Sequence, residues 1–322
     1  MKKLLLMLCI NVFSVSLIVS CGGGGGGGGT SGITYTGVTT QATIDENNAV
    51  EITLEAYEGV DTASELNILG AVSENSSSVK NPLFVDISTY FQSVIYDIES
   101  SAGQNSEYMG AVITESDTIT GSCGGSFSYT LTGDDQTGNF NGTLTFNNFC
   151  EQEYTASGSM TLSGNINLNT EEFNYFDMTF TNISLTHGQE SISLNGSIAF
   201  NLQSSPITMT FSFIYKDNLN KTYKYENFAY EYTEGLGFVD MTFSGRFYHH
   251  DYGYVDIDTV TALRINGNDF YPSSGTVIVT GDSGTKARLL VIDSSSFIIE
   301  ADTDGDGSYD NYNSGAILWS NV

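Results

Sequence analysis

Phe140-Asn141-Gly142-Thr143-Leu144-Thr145-Phe146, Leu162-Ser163-Gly164-Asn165-Ile166-Asn167-Leu168, Leu194-Asn195-Gly196-Ser197-Ile198-Ala199-Phe200 and Phe243-Ser244-Gly245-Arg246-Phe247-Tyr248-His249 share one pattern. Apolar side chains take every second position, and the glycine falls in the same phase, so both lie on one face of a strand. A glycine on that face marks a bend or a close backbone approach. Four of them in register would let a long sheet curl. A second element recurs between the copies: Phe146-Asn147-Asn148-Phe149, Phe180-Thr181-Asn182-Ile183 and Tyr225-Glu226-Asn227-Phe228. There the apolar phase slips by one residue, as a β-bulge makes it slip. The glycines are 22, 32 and 49 residues apart, so hairpins repeat here without the fixed period of a solenoid.

Outward from these copies, a period of two holds from Tyr108 onward, with turn signals every dozen or so residues. Asp217-Asn218-Leu219-Asn220 and His187-Gly188 read as hairpin turns, and further strands are expected at Thr276–Thr280, Ala287–Ile292 and Phe297–Glu300. Before Tyr108 the period is helical. Asp45 is a candidate cap for a helix to Val60, with Ala49, Val50, Leu54 and Tyr57 on one stripe. Ile52 and Thr53 weaken that helix, because β-branched residues lose side-chain freedom in it. A second helix begins at Pro82, carries Phe84, Ile87, Tyr90, Phe91, Val94, Ile95 and Ile98 on its packing face, and ends at Gly103. The fold class expected is mainly β (α+β). A curled antiparallel meander or half-barrel spans 108–322, with two helices from 41–107 packed on one face; a β-sandwich is the alternative.

Composition allows a real core. The chain has 322 residues with 19 Phe, 19 Tyr and only 3 Pro. Its beginning has the layout of an export signal: positive Met1-Lys2-Lys3, then an apolar run from Leu4 to Val19 broken by Asn11, Ser14 and Ser16. The end of that run, Ile18-Val19-Ser20-Cys21, resembles the lipobox of bacterial lipoproteins. The resemblance implies a signal peptide over 1–20 and a lipid on Cys21 as the mature N-terminus. It also implies anchorage to a membrane through buried methylenes. Gly22 rather than Asp follows the cysteine, which in the enterobacterial sorting pattern implies the outer membrane. Gly22 to Gly29 and the Ser/Thr/Gly-rich residues after them read as a flexible tether over 21–40, reaching about 18 Å to Ile33 on average.

Removing Lys2 and Lys3 leaves 8 Lys and Arg against 38 Asp and Glu, a formal charge of 8 − 38 = −30. Such a surface excludes nucleic acid as a partner and suits cations. Of four cysteines, Cys9 leaves with the signal and Cys21 is lipidated. Cys123 and Cys150 remain, at the open end of a hairpin turning at Gly133–Gly138. Export favours a disulfide between them.

One stretch carries metal chemistry. Asp302-Thr303-Asp304-Gly305-Asp306-Gly307-Ser308-Tyr309-Asp310 follows the first nine positions of an EF-hand-type calcium loop. Its carboxylates repel one another unless a cation sits among them, and Gly307 permits the turn that aims them inward. The loop resembles those of thrombospondin type 3 repeats and dockerins, which implies a Ca2+ site using Asp302, Asp304, Asp306, Ser308, Asp310 and, at position 12, Asn313. The pattern carries Glu or Asp at that last place. A dissociation constant on the order of 10⁻⁴–10⁻³ M is therefore expected, with the ion stapling a hairpin between Phe297–Glu300 and Ala316–Trp319.

Other short signals carry less. Gly281-Asp282-Ser283-Gly284 resembles the nucleophile tetrapeptide of chymotrypsin-like proteases for four residues only, between two strands where a turn is expected. His249-His250-Asp251 could ligate a metal or move a proton, but adjacent strand residues face opposite sides. Tyr252, Tyr254, Asp256 and Asp258 resemble the aromatic-and-carboxylate lining of a sugar-binding face. No phosphate loop, dinucleotide fingerprint or zinc spacing occurs in the sequence. A non-enzymatic lipoprotein, structural or ligand-binding, is the function expected. A carrier of lipid or another apolar ligand is the alternative, in a cavity lined by Phe140, Leu162, Leu194 and Phe243. A hydrolase ranks last.

Overall fold

The computed structural model describes residues 32–65 and 112–321, apart from 152, 153, 171, 172, 189 and 268. The signal, Cys21, the glycine run and the helix expected from Pro82 lie outside the described residues. One antiparallel sheet dominates. Its strands are β1 (Val112–Thr120), β2 (Gly124–Asp134), β3 (Asn139–Glu151), β4 (Tyr154–Ile166), β5 (Phe173–His187), β6 (Glu190–Asn201), β7 (Ile207–Lys216), β8 (Thr222–Gly235), β9 (Phe238–His249), β10 (Gly253–Asn266), β11 (Ser274–Thr280), β12 (Lys286–Asp293), β13 (Ser296–Asp302) and β14 (Tyr312–Asn313). Each pairs with the next in chain order, and a short β15 (Ile317–Leu318) also pairs with β13. The order is that of an open meander. β1 and β14 do not pair, so the sheet is neither a closed barrel nor a sandwich of two sheets.

Alternation sorts the two faces. In β2, Phe127, Tyr129 and Leu131 are buried, and in β7 so are Met209, Phe211, Phe213 and Tyr215. On the other face a single row crosses the strands as Ser116, Thr130, Thr143, Thr161, Thr179 and Ser197, each opposite the next. These six are exposed hydroxyls on residues that hold extended backbone while remaining hydrated.

The three expected bulges are present. Pairing passes from Phe146↔Gly158 to Phe149↔Ala156, and from Phe180↔Gly196 to Ile183↔Leu194. It likewise passes from Glu226↔Arg246 to Ala229↔Ser244. Each jump uses three residues on one strand and two on its partner. The extra residue in each is an asparagine in the left-handed region, Asn148, Asn182 or Asn227, with φ of 48°, 51° and 53°. Asparagine tolerates that conformation better than other residues with a Cβ. The slip lets apolar residues on both sides of it point inward, as Phe146 and Phe149 do. The strand glycines differ from expectation in one respect. They are not aligned opposite one another: Gly142 faces Leu162, and Gly164 faces Phe140. A Cβ on Gly164 would lie 2.5 Å from Cζ of Phe140, so the missing side chain makes room for the neighbouring ring.

The helix α1 (Ala49–Glu65) packs against β9, β12 and β13. Its cap is reciprocal: Asp45 Oδ1 accepts the Asn48 N–H at 3.0 Å, and Asn48 Oδ1 accepts the Asp45 N–H at 2.9 Å. The buried face is Ala49, Ile52, Thr53, Ala56 and Tyr57, while Val50 and Leu54 are only half-buried. Ile52, which weakened the helix on propensity, is fully buried, and its burial outweighs a few tenths of a kcal/mol; Thr53 is buried beside it with its hydroxyl unpaired.

Residues 33–44, read in part as tether, are bonded along one rim of the sheet. Val38 N–H reaches His250 O at 2.9 Å and Ala42 N–H reaches Tyr254 O at 2.8 Å; Asp282 N–H returns to Ala42 O at 2.6 Å. The Thr36 N–H donates to Thr222 Oγ1 and the Ile44 N–H to Thr285 Oγ1. Pairing with strand ends satisfies backbone groups that a free coil would leave to water.

Cys123 and Cys150 are joined in a disulfide, with Cα atoms 5.1 Å apart. It closes a loop of 27 residues' separation across the β2–β3 hairpin. Cys123→Ser with Cys150→Ser is expected to lower stability by about 3–4 kcal/mol. Thermal melts of the parent with and without reductant should show the same difference. Equal melting temperatures in all three samples would sink the expectation.

Candidate cation site

β13 ends at Asp302, and the chain then turns through Thr303–Asn311 before β14 pairs back as Ala301↔Tyr312 and Glu300↔Asn313. Asp302 is fully buried. Its Oδ1 accepts the N–H groups of Gly305 (2.7 Å) and Asp306 (3.1 Å), and its Oδ2 accepts that of Gly307 (2.8 Å). A carboxylate wrapped by three backbone donors is satisfied without water. Gly305 and Gly307 have φ of 75° and 94°, which the turn requires and side chains resist. Asp306 Oδ1 in turn accepts the Ser308 N–H at 2.7 Å.

The result is convergence of three carboxylates: one oxygen from each of Asp302, Asp304 and Asp306 lies within 4.8 Å of the others. Asp304 and Asp306 are exposed, so an ion would enter from solvent. These hard oxygen donors suit Ca2+. Asp310 does not join the group, and Asn313 is elsewhere. Its amide donates to Glu300 Oε1 at 3.0 Å, and its own Oδ1 accepts the Gly315 N–H at 2.8 Å. Pairing with β13 holds residues 312–313 extended and withdraws position 12 from the loop. Asn311, passed over in the sequence, closes the turn by accepting the Thr303 N–H at 2.8 Å.

The other candidates divide. Gly281–Gly284 forms the β11–β12 turn expected there, with Ser283 at φ 57° and Thr285 Oγ1 donating to Asp282 O at 2.7 Å. Tyr254 and Asp256 both engage Arg246: Asp256 through bonds of 2.7 and 3.1 Å, Tyr254 by lying under the guanidinium at 4.0 Å. Tyr252 donates to Glu51 Oε2 at 2.7 Å, and that carboxylate pushes its phenol up to about 12. His250 points the other way from His249 and accepts the Thr222 N–H at 3.2 Å. Phe140, Leu162, Leu194 and Phe243 are buried among neighbours, with Phe140 5.8 Å from Phe173 and 5.9 Å from Phe176 between ring centroids.

A cleft of about 390 Å³ opens on the polar face, lined in part by Asn174, Tyr175, Asp177, Asn201 and Gln203. Burial raises the Asp177 carboxyl above its usual range. Nothing in the sequence singled out these residues, which come from the start of β5, the end of β6 and the turn after it. Among the described residues no helix is long and apolar enough to cross a membrane.

No protein family, curated protein or solved structure matches this chain.

Proposed function

We propose that this is an exported, lipid-anchored lipoprotein of the outer membrane, held by Cys21, whose meander is a non-enzymatic scaffold that binds ligand on its polar face. A calcium ion at Asp302, Asp304 and Asp306 stiffens the hairpin of β13 with β14 and β15. The convergence of those three carboxylates on a closed turn is the observation that carries the reading. The cleft beside Tyr175, where amides and the Asp177 carboxyl lie next to Ala199 and Phe200, has the mixed lining that a carbohydrate ligand would use. The packed rings around Phe140 and Phe243 offer an apolar cargo no such match.

Trp319 reports on the same hairpin from the opposite end of β13, where it packs on Phe297 at 4.3 Å and on Tyr57 at 5.7 Å. Titrating the full chain in detergent with Ca2+ should shift Trp319 fluorescence with a midpoint of about 0.1–1 mM. It should also stabilise the fold by about 1–2 kcal/mol at several millimolar ion. Asp304→Ala should remove both responses. A parent protein indifferent to 5–10 mM Ca2+, roughly ten times the weakest expected constant, would defeat the calcium part of the reading.

A further inference from the structure

A second cluster brings α1 and β9 together and shares no residue with the Asp302 loop. Glu51 and Glu55 are four apart on α1 and so project side by side. His249, the last residue of β9, meets them with Nε2 3.1 Å from Glu55 Oε2 and 3.6 Å from Glu51 Oε1. The histidine side chain is 1 % exposed, Glu55 25 % and Glu51 48 %, so the cluster is closed on the protein side and open toward solvent. Despite these short separations, His249 Nε2 and Glu55 Oε2 are both buried without a hydrogen-bond partner. An imidazole nitrogen and a carboxylate oxygen this close, yet out of line for a hydrogen bond, stand at the spacing of two ligands of one ion. With bonds of about 2.0–2.2 Å, such ligands stand about 3.0–3.6 Å apart as the angle at the ion opens from a right angle to about 120°.

We propose that Glu51, Glu55 and His249 bind a first-row divalent transition ion, with Zn2+ as the reference case. One imidazole and two carboxylates neutralise the ion, and three protein ligands leave coordination positions facing solvent. The outer contacts suit this role. Tyr252 holds the far oxygen of Glu51 and stacks on the His249 ring at 4.4 Å, while Tyr223 packs edge-on against the same ring at 5.4 Å. One contact must change on loading. His249 Nδ1 accepts the Asp251 N–H at 3.1 Å, which places the ring proton on Nε2 in the ion-free protein. Coordination at Nε2 transfers that proton to Nδ1, so the Asp251 amide turns away in the exposed β9–β10 turn. The ion ties the capped end of α1 to the sheet.

The test is Zn2+ binding by the full chain in detergent, stripped with chelator and held in millimolar Ca2+ so that the Asp302 loop does not compete. Calorimetry and native mass spectrometry of the parent should give one Zn2+ per chain at micromolar affinity. Glu51→Gln, at an exposed position that keeps its shape, should weaken binding at least tenfold, and so should Glu55→Gln. Co2+ substitution should give a visible spectrum of mixed nitrogen and oxygen ligation, lost in His249→Gln. The amide resonance of Asp251 should move on loading. A parent that takes up no stoichiometric Zn2+, or Gln variants that bind like the parent while melting normally, would overturn the assignment.

Discussion

Phe228→Ala is expected to destabilise the protein by about 3–5 kcal/mol, the cost of emptying a large buried aromatic site. Phe228 is fully buried at the β8 bulge, stacked on Phe211 at 5.0 Å and edge-on to Tyr225 at 5.2 Å. Its ring lies over Gly245 of the next strand. A Cβ on Gly245 would stand 2.6 Å from Cγ of Phe228, inside any permitted contact. Gly245→Val alone should therefore also destabilise, by about 1–3 kcal/mol through overpacking. The pair makes a sharper prediction than either change. In Phe228→Ala/Gly245→Val the new side chain occupies space that the ring has left, so the combined loss should fall at least about 1 kcal/mol below the sum. Denaturant unfolding of the four proteins measures the coupling. Strict additivity would show that the glycine serves only backbone bending.

Asp302→Ala should rank next, with a loss of at least about 3 kcal/mol whether or not calcium is present. The substitution strands the N–H groups of Gly305, Asp306 and Gly307, which converge on one buried carboxylate. Asp302→Asn keeps one acceptor oxygen and should fall between the parent and Asp302→Ala. Asp304 is exposed and accepts only a long 3.3 Å bond from Asp306 N–H. Asp304→Ala should thus melt like the parent in chelator and differ from it only when Ca2+ is added. Unfolding curves of both variants with and without Ca2+ separate a turn that folds on its own hydrogen bonds from one that needs the ion. If Asp302→Ala lost stability only in the presence of calcium, the carboxylate's role would be ligation and not closure of the turn.

Particular residues show why much of the fold was legible. Alternation of Phe, Leu and Ile with Ser, Thr and Asn is a local property, and it specifies which side of a strand is buried before any partner is chosen. The phase slip at Asn148, Asn182 and Asn227 was readable for the same reason. A bulge rewrites the apolar pattern within four residues, and asparagine is the residue that tolerates the backbone it needs. Cys123 and Cys150 were paired correctly because a single hairpin, with its turn at Gly133–Gly138, relates them. In α1 the cap at Asp45 and the stripe of Ala49, Val50, Leu54 and Tyr57 were legible, but the stripe was incomplete, since propensity discounted Ile52 and Thr53 and the sheet does not.

The Asp302 loop divides in the same way. Spacing alone identified Asp302, Asp304 and Asp306, which are near in sequence and held by bonds within the turn. Asn313 was misplaced because β14 pairs with β13, and ladder hydrogen bonds override the geometry of a nine-residue motif. The Glu51–Glu55–His249 cluster lies at the other extreme. Its residues are separated by about two hundred positions, and nothing in either segment points to the other.

Local patterning thus settled the strand phases, the bulges, the disulfide and the turn that could hold calcium, because each depends on neighbours in the chain or on one hairpin. Long-range packing settled the rest. Where α1 docks, which face of it is buried, how residues 33–44 line the rim and which side chains meet at His249 all follow from how a fourteen-strand open path packs. Contacts made between distant segments leave no periodic trace in either one.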